Sequence, residues 1–203
     1  MGAETHGGRD ARRHVTETVD VLVLCGAVGV GKSTTAHEVS LRLADDGLAH
    51  AVVDCGELER LHPWPVEGLP ESEAARRNLA AVWANYAGLG HHRLMLCGVF
   101  TDLHHELPWI AEAVPDAAFT VIRLTADPAV LADRVRPRPG SATPVPDPLD
   151  RAERQLREIA AADPPGTLVV DTTGRGVAEV AEQVMALWPA VSHPRETGRN
   201  GPG

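Results

Sequence analysis

Lys32 is the single lysine of a chain that otherwise carries its positive charge on eighteen arginines. It stands in Gly26-Ala27-Val28-Gly29-Val30-Gly31-Lys32-Ser33, which matches G-x-x-x-x-G-K-[ST] at every fixed position. Glycines at this spacing let the backbone curl so that successive N–H groups face a phosphate, and the helix that follows adds its partial positive charge. In such a loop Lys32 reaches the β- and γ-phosphates and the Ser33 hydroxyl ligates Mg²⁺, with Thr34 next in line. A compact, rotatable ammonium suits this task where a planar guanidinium does not. ATP and Mg²⁺ are therefore the expected cofactors.

Asp54 is the next residue with chemistry in it, an acid at the end of an apolar run and followed by Cys55-Gly56-Glu57. Beside a phosphate loop it can orient an acceptor hydroxyl, take its proton during transfer or help hold the metal; it can equally cap the next turn. Glu57 is a candidate substrate contact or a solvated first-turn residue. Trp64, in the irregular Leu61-His62-Pro63-Trp64-Pro65-Val66, is placed to stack on a ring or to pack over the core edge. Arg76 and Arg77 open a helical stretch and are candidates for an anionic acceptor. Further on, Arg134, Arg136 and Arg138 alternate into a loop rich in proline and glycine. Such a segment can swing guanidinium charge over a transferring phosphoryl group and exclude water, or serve as a basic surface loop.

These residues need a scaffold, and the periodicity supplies one. Val19 to Cys25 is a short β-branched run ending at a glycine, and Ser33 to Ala44 puts Ala36, Val39, Ser40 and Leu43 on one helical face. Further strands are expected over 49–54, 93–100, 118–124 and 167–171, alternating with helices over 71–87, 102–113, 128–135, 148–162 and 177–187. The alternation predicts one α/β domain, a parallel sheet with helices on both faces, spanning 19–189. Its ligand site lies outside the carboxyl ends of the strands. The stretches 1–18 and 190–203 read as disordered tails.

Composition narrows the partners. A formal charge of −9 disfavours a nucleic-acid backbone or an anionic membrane. No apolar run is long enough to span a bilayer and the first residues lack a hydrophobic signal core, so a cytoplasmic protein is expected. Cys25, Cys55 and Cys97 form no C-x-x-C pair and read as buried reduced thiols. The Asp102-Leu103-His104-His105-Glu106 segment does not have H-E-x-x-H spacing, and zinc is not expected.

The phosphate loop, the acid at the end of the second strand, L-x-x-R-V-x-x-R-x-G over Leu131 to Gly140 and Val170-Asp171-Thr172-Thr173-Gly174 before the last helix together resemble the small P-loop kinases. That group includes nucleoside monophosphate, shikimate, gluconate and adenylylsulfate kinases and chloramphenicol phosphotransferase. The resemblance implies a three-layer α/β/α sandwich whose five-stranded parallel sheet runs 2-3-1-4-5, with a helical lid over about 134–148. It also makes Arg134 and Arg138 the lid arginines, Asp54 the acceptor-side acid, and the Asp171 to Arg175 loop, with Thr173 and Arg175, the border of the adenine.

The chain lacks the D-G-[FY]-P-R segment of adenylate kinases and the D-x-D or G-D pairs of the sugar-acid and sulfate kinases. A guanine-reading N-K-x-D would need a second lysine, which disfavours a regulatory GTPase. The expected function is ATP- and Mg²⁺-dependent transfer of the γ-phosphoryl group to a hydroxyl of a small-molecule acceptor. A nucleotide kinase, or an NTP-binding module with no acceptor, are the alternatives. A second copy of the chain is the one macromolecular partner left open.

Overall fold

The computed structural model describes residues 18–135 and 148–188. The tails expected at either end and most of the expected lid, including Arg138, lie outside the described residues. Strands β1 (Val19–Cys25), β2 (Ala51–Asp54), β3 (Arg93–Gly98), β4 (Ala117–Thr125) and β5 (Leu168–Asp171) form one sheet in the order β2-β3-β1-β4-β5. Every pairing in it is parallel. The helices are α1 (Lys32–Asp45), α2 (Cys55–Leu58), α3 (Glu73–Gly88), α4 (Leu103–Ala113), α5 (Pro128–Val135), α6 (Pro148–Ala161) and α7 (Val177–Leu187).

β1 is buried along its whole length because strands flank it on both sides and helices cover both faces. Its side chains alternate between two cores, as the two-residue period of a strand requires. Leu22 and Leu24 join Met95, Cys97, Ile122 and Leu124 in the layer with α1 and α7, while Val21 and Val23 join Leu94 and Leu96 in the layer with α3 and α4. A fully buried leucine in such a core carries about 2–5 kcal/mol against truncation to alanine.

At the amino edge of the sheet, away from the strand ends that form the site, a buried polar knot fixes the last helix. Arg93 Nη2 lies 2.7 Å from Asp20 Oδ2. The Trp188 indole N–H donates to Asp20 Oδ1 at 2.6 Å, and the Arg93 guanidinium sits 4.6 Å above the Trp188 ring. Removing one partner of such a pair would leave the other's charge buried and unpaired, so the knot ties the residue after α7 to β1 and β3.

α2 is a four-residue turn that hydrophobic periodicity does not show. It exists because the Asp54 carboxylate caps it, accepting from Gly56 N at 3.0 Å. α4 keeps its helical form despite Pro108, with Asp102 as its N-cap through His104 N at 3.0 Å. The three cysteines are free and buried.

Candidate active site

The phosphate loop joins β1 to α1 at the carboxyl edge of the sheet. Ala27 and Val30 are fully buried and pin the loop to the core. Gly26 (φ 143°) passes so close to β4 that a Cβ there would stand 2.5 Å from the Leu124 carbonyl oxygen. Gly29 (φ 86°) faces Val135 and Leu131 of α5, where a Cβ would collide with both side chains. Val28 N donates to the buried Gln155 Oε1 of α6 at 3.0 Å, so α6 also braces the loop.

Lys32 Nζ donates to the Ala27 carbonyl at 2.9 Å, which holds the ammonium over the loop. Burial lowers its pKa to about 8, with the neighbouring Cys97, Cys25 and Asp54 acting weakly the other way. The thiols are raised, Cys25 to about 12 and Cys97 to about 11, chiefly by burial. They are inert at neutral pH.

Ser33 and Asp54 come together across the gap between α1 and β2. Ser33 Oγ donates to Asp54 Oδ2 at 3.3 Å, while the other carboxylate oxygen is taken by Gly56 N. The donors that converge here are oxygens, the kind hard Mg²⁺ takes. No group of three or more His, Cys, Asp or Glu able to cage a metal occurs among the described residues.

Behind the loop, Thr172 is a buried junction. Its hydroxyl lies 3.2 Å from the Val30 carbonyl and 3.1 Å from that of Thr125, two acceptors for its one proton. Arg134 donates to the Thr172 hydroxyl through Nη1 at 2.9 Å and to the Thr172 carbonyl through Nη2 at 3.0 Å. Arg134 is thereby fixed on the loop's flank. Thr173 instead serves the turn, donating to Asp171 Oδ1 at 2.7 Å and accepting from Asp127 N at 2.8 Å. These bonds from the Thr173 side chain and backbone hold Asp171 below the usual carboxylate range. Arg175 is anchored by the Asp171 carbonyl at 3.1 Å and Gln183 Oε1 at 2.5 Å.

A cleft of about 960 Å³ begins at the loop and continues past it. On one side it is lined by Val28 to Thr35, Arg134, Arg151, Thr172 and Arg175; on the other by Asp54, Glu59, Trp64, Glu71, Phe100, Glu106 and Trp109. Trp64 is thus a cleft residue, 45% exposed. Glu57, Arg76 and Arg77 do not line it. Glu57 pairs with Arg60 at 2.6 Å on the surface. Arg76 and Arg77 both bind Glu73, at 2.7 and 2.6 Å, and together draw its carboxyl down to about 2. Thr173 also stands outside the lining.

The residues that periodicity and motif do not reveal are Glu59, Glu71, Glu106 and Trp109 on the far wall, and Gln155 and Thr172 behind the loop. Ser72, at the start of α3, also lines the cleft and is held at φ 62°, a conformation costly to a residue with a Cβ.

The order of the sheet, the loop after its central strand and the cleft across its carboxyl edge decide the architecture. The fold is that of the small P-loop kinases. The Deinococcus radiodurans tunicamycin resistance protein is similar at a TM-score of 0.58 and 21% identity, over 83% of this chain and 94% of that one. A gluconokinase from Sinorhizobium meliloti 1021 is similar at 0.51 and 22%, over 85% and 92%. The Mycobacterium tuberculosis APS kinase, solved with AMPPNP and APS, is similar at 0.51 and 19%, over 84% and 97%. No family model and no curated protein sequence matches the chain. No helix among the described residues is long and apolar enough to cross a membrane.

Proposed function

We propose that the protein is a kinase that transfers the γ-phosphoryl group of ATP to a hydroxyl of a small molecule. The observation that carries this is the continuity of the cleft: it runs from the Lys32 ammonium, past the Ser33–Asp54 pair, into a chamber walled by Trp64, Phe100 and Trp109. A module that only binds or hydrolyses nucleotide has no use for that second chamber. The kinases among the structural neighbours support the same reading.

In this reading the loop amides from Gly29 to Thr34 and the Lys32 ammonium bind the phosphates, and Lys32 meets the charge that grows on the β–γ bridging oxygen. Ser33 would hold Mg²⁺, which would supply neutralisation of the phosphate oxygens. Arg134 and Arg175 flank the nucleotide. Asp54 orients the acceptor hydroxyl and takes its proton as the acceptor oxygen bonds to phosphorus and the bridging oxygen leaves with its electrons as ADP.

The test is ADP release from MgATP with and without added hydroxyl compounds, in the parent protein and in Asp54→Asn. Acceptor-stimulated release that Asp54→Asn removes supports the reading. Release indifferent to every acceptor, and unchanged in that variant, refutes it.

A further inference from the structure

The two walls of the cleft carry opposite charge, and the sheet order explains how. The cationic lining residues, Lys32, Arg134, Arg151 and Arg175, come from the segments that follow β1, β4 and β5. The anionic ones, Asp54, Glu59, Glu71 and Glu106, come from the segments that follow β2 and β3. Among the described residues, no arginine or lysine lines the β2–β3 side. The arginines nearest in sequence are tied to other acids, Arg60 to Glu57 and both Arg76 and Arg77 to Glu73, and none of them lines the cleft.

The same wall is aromatic. Trp64 and Trp109 both face the cleft, and the Trp109 indole N–H donates to Glu106 Oε2 at 2.6 Å, fixing that carboxylate in place. Carboxylates grouped beside indole rings in one cleft form a site for an ammonium group, which gains from the charges and, where it reaches the exposed Trp64 ring, from the ring quadrupole as well. The carboxylates also feel one another. Glu59 is raised by burial and by the charge of Glu71, and Glu106 by burial, with Glu59 and Glu71 adding to it and the Trp109 bond and His105 opposing. A bound cation relieves that repulsion; a bound anion adds to it.

We propose that the acceptor is a hydroxyl-bearing ammonium compound, an amino alcohol or amino sugar, held by Glu59, Glu71 and Glu106 against Trp64 and Trp109. This rests on the phosphotransfer reading, and it gives each end of the molecule a task. The ammonium nitrogen, protonated against the carboxylates, has no lone pair to offer phosphorus. The hydroxyl is the nucleophile and passes its proton to Asp54.

The experiment compares size-matched sets of amino sugars and amino alcohols with their hydroxy-acid counterparts, in the presence of a non-hydrolysable ATP analogue and Mg²⁺. Binding is read by ligand-observed NMR and calorimetry, and transfer from ATP is read separately. The amine set should bind and the acids should not. Glu59→Gln with Glu71→Gln, at positions that are not buried, should weaken amine binding at least tenfold while leaving affinity for the ATP analogue unchanged. Acid binding equal to or tighter than amine binding overturns the proposal, as does an absence of binding by either set or an affinity unmoved in the double variant. Amines that bind selectively but receive no phosphoryl group uphold the charge assignment and refute the kinase reading instead.

Discussion

The two halves of the cleft are built by opposite means. The nucleotide half is built around one stretch of sequence: residues 26–33 supply backbone amides, a lysine and a hydroxyl, the fold holds them with Ala27 and Val30 in the core, and Arg134, Arg151 and Arg175 are added from later segments. The acceptor half is assembled from single residues on separate elements, with Asp54 at the end of β2, Glu59 after α2, Glu71 before α3, and Glu106 and Trp109 on α4. One half is cationic and bonded through main chain; the other is anionic and bonded through side chains.

The sharpest way to break the comparison is at Lys32. Lys32→Ala should lower phosphoryl transfer by roughly 10³-fold or more, since it removes charge that acts on the transferring group. Full activity in that variant, measured under saturating MgATP, contradicts the nucleotide half as described. Asp54 sits on the seam between the halves. Asp54→Asn should reduce kcat by roughly 10²-fold with ATP affinity retained, as for a group that acts in the transition state. A collapse of nucleotide affinity with normal acceptor dependence would move Asp54 wholly into the nucleotide half.

Smaller effects sharpen the picture. Thr172→Val keeps the shape but leaves Arg134 and two carbonyls without the hydroxyl they share. It should cost about 1–3 kcal/mol of stability by denaturant titration. An unchanged midpoint would show that the junction is not structural.

Lys32 also links the nucleotide half to pH. Its pKa of about 8 means that part of the population is neutral near that pH, and phosphates raise it on binding. MgATP binding near pH 8 should take up protons, and affinity should fall as pH rises through that value. Calorimetry in buffers of different ionisation enthalpy measures this directly, and binding heats independent of buffer would contradict it. The smallest effect is expected at Gln155, where Gln155→Ala should weaken MgATP binding by a few-fold, about 1 kcal/mol, through loss of one bond to the loop. No change would leave α6 with a packing role only.

The same contrast explains what the sequence reveals. The sheet was legible because each strand is a short apolar run between turn residues, and α5 and α7 fall on the expected residues. α2 was not, since four residues held by one carboxylate cap have no period to detect. In the nucleotide half the motif names its own residues, yet Thr172 was hidden beside Thr173: nothing local says which hydroxyl points under the loop. In the acceptor half, a sequence shows acids but not their convergence, which depends on strand order and on where loops turn. Arg76 and Arg77 illustrate a signal present but unread. Glu73 stands three and four residues before them, the spacing at which helical charges pair.

The central claim is that phosphoryl groups cross the seam from one half to the other. Phosphorus NMR of MgATP turnover with a mixture of amino sugars and amino alcohols tests it most directly. The account predicts a new phosphomonoester signal growing in step with ADP, and growing roughly 10²-fold more slowly in Asp54→Asn. Inorganic phosphate as the sole product, at a rate the mixture does not alter, would contradict it.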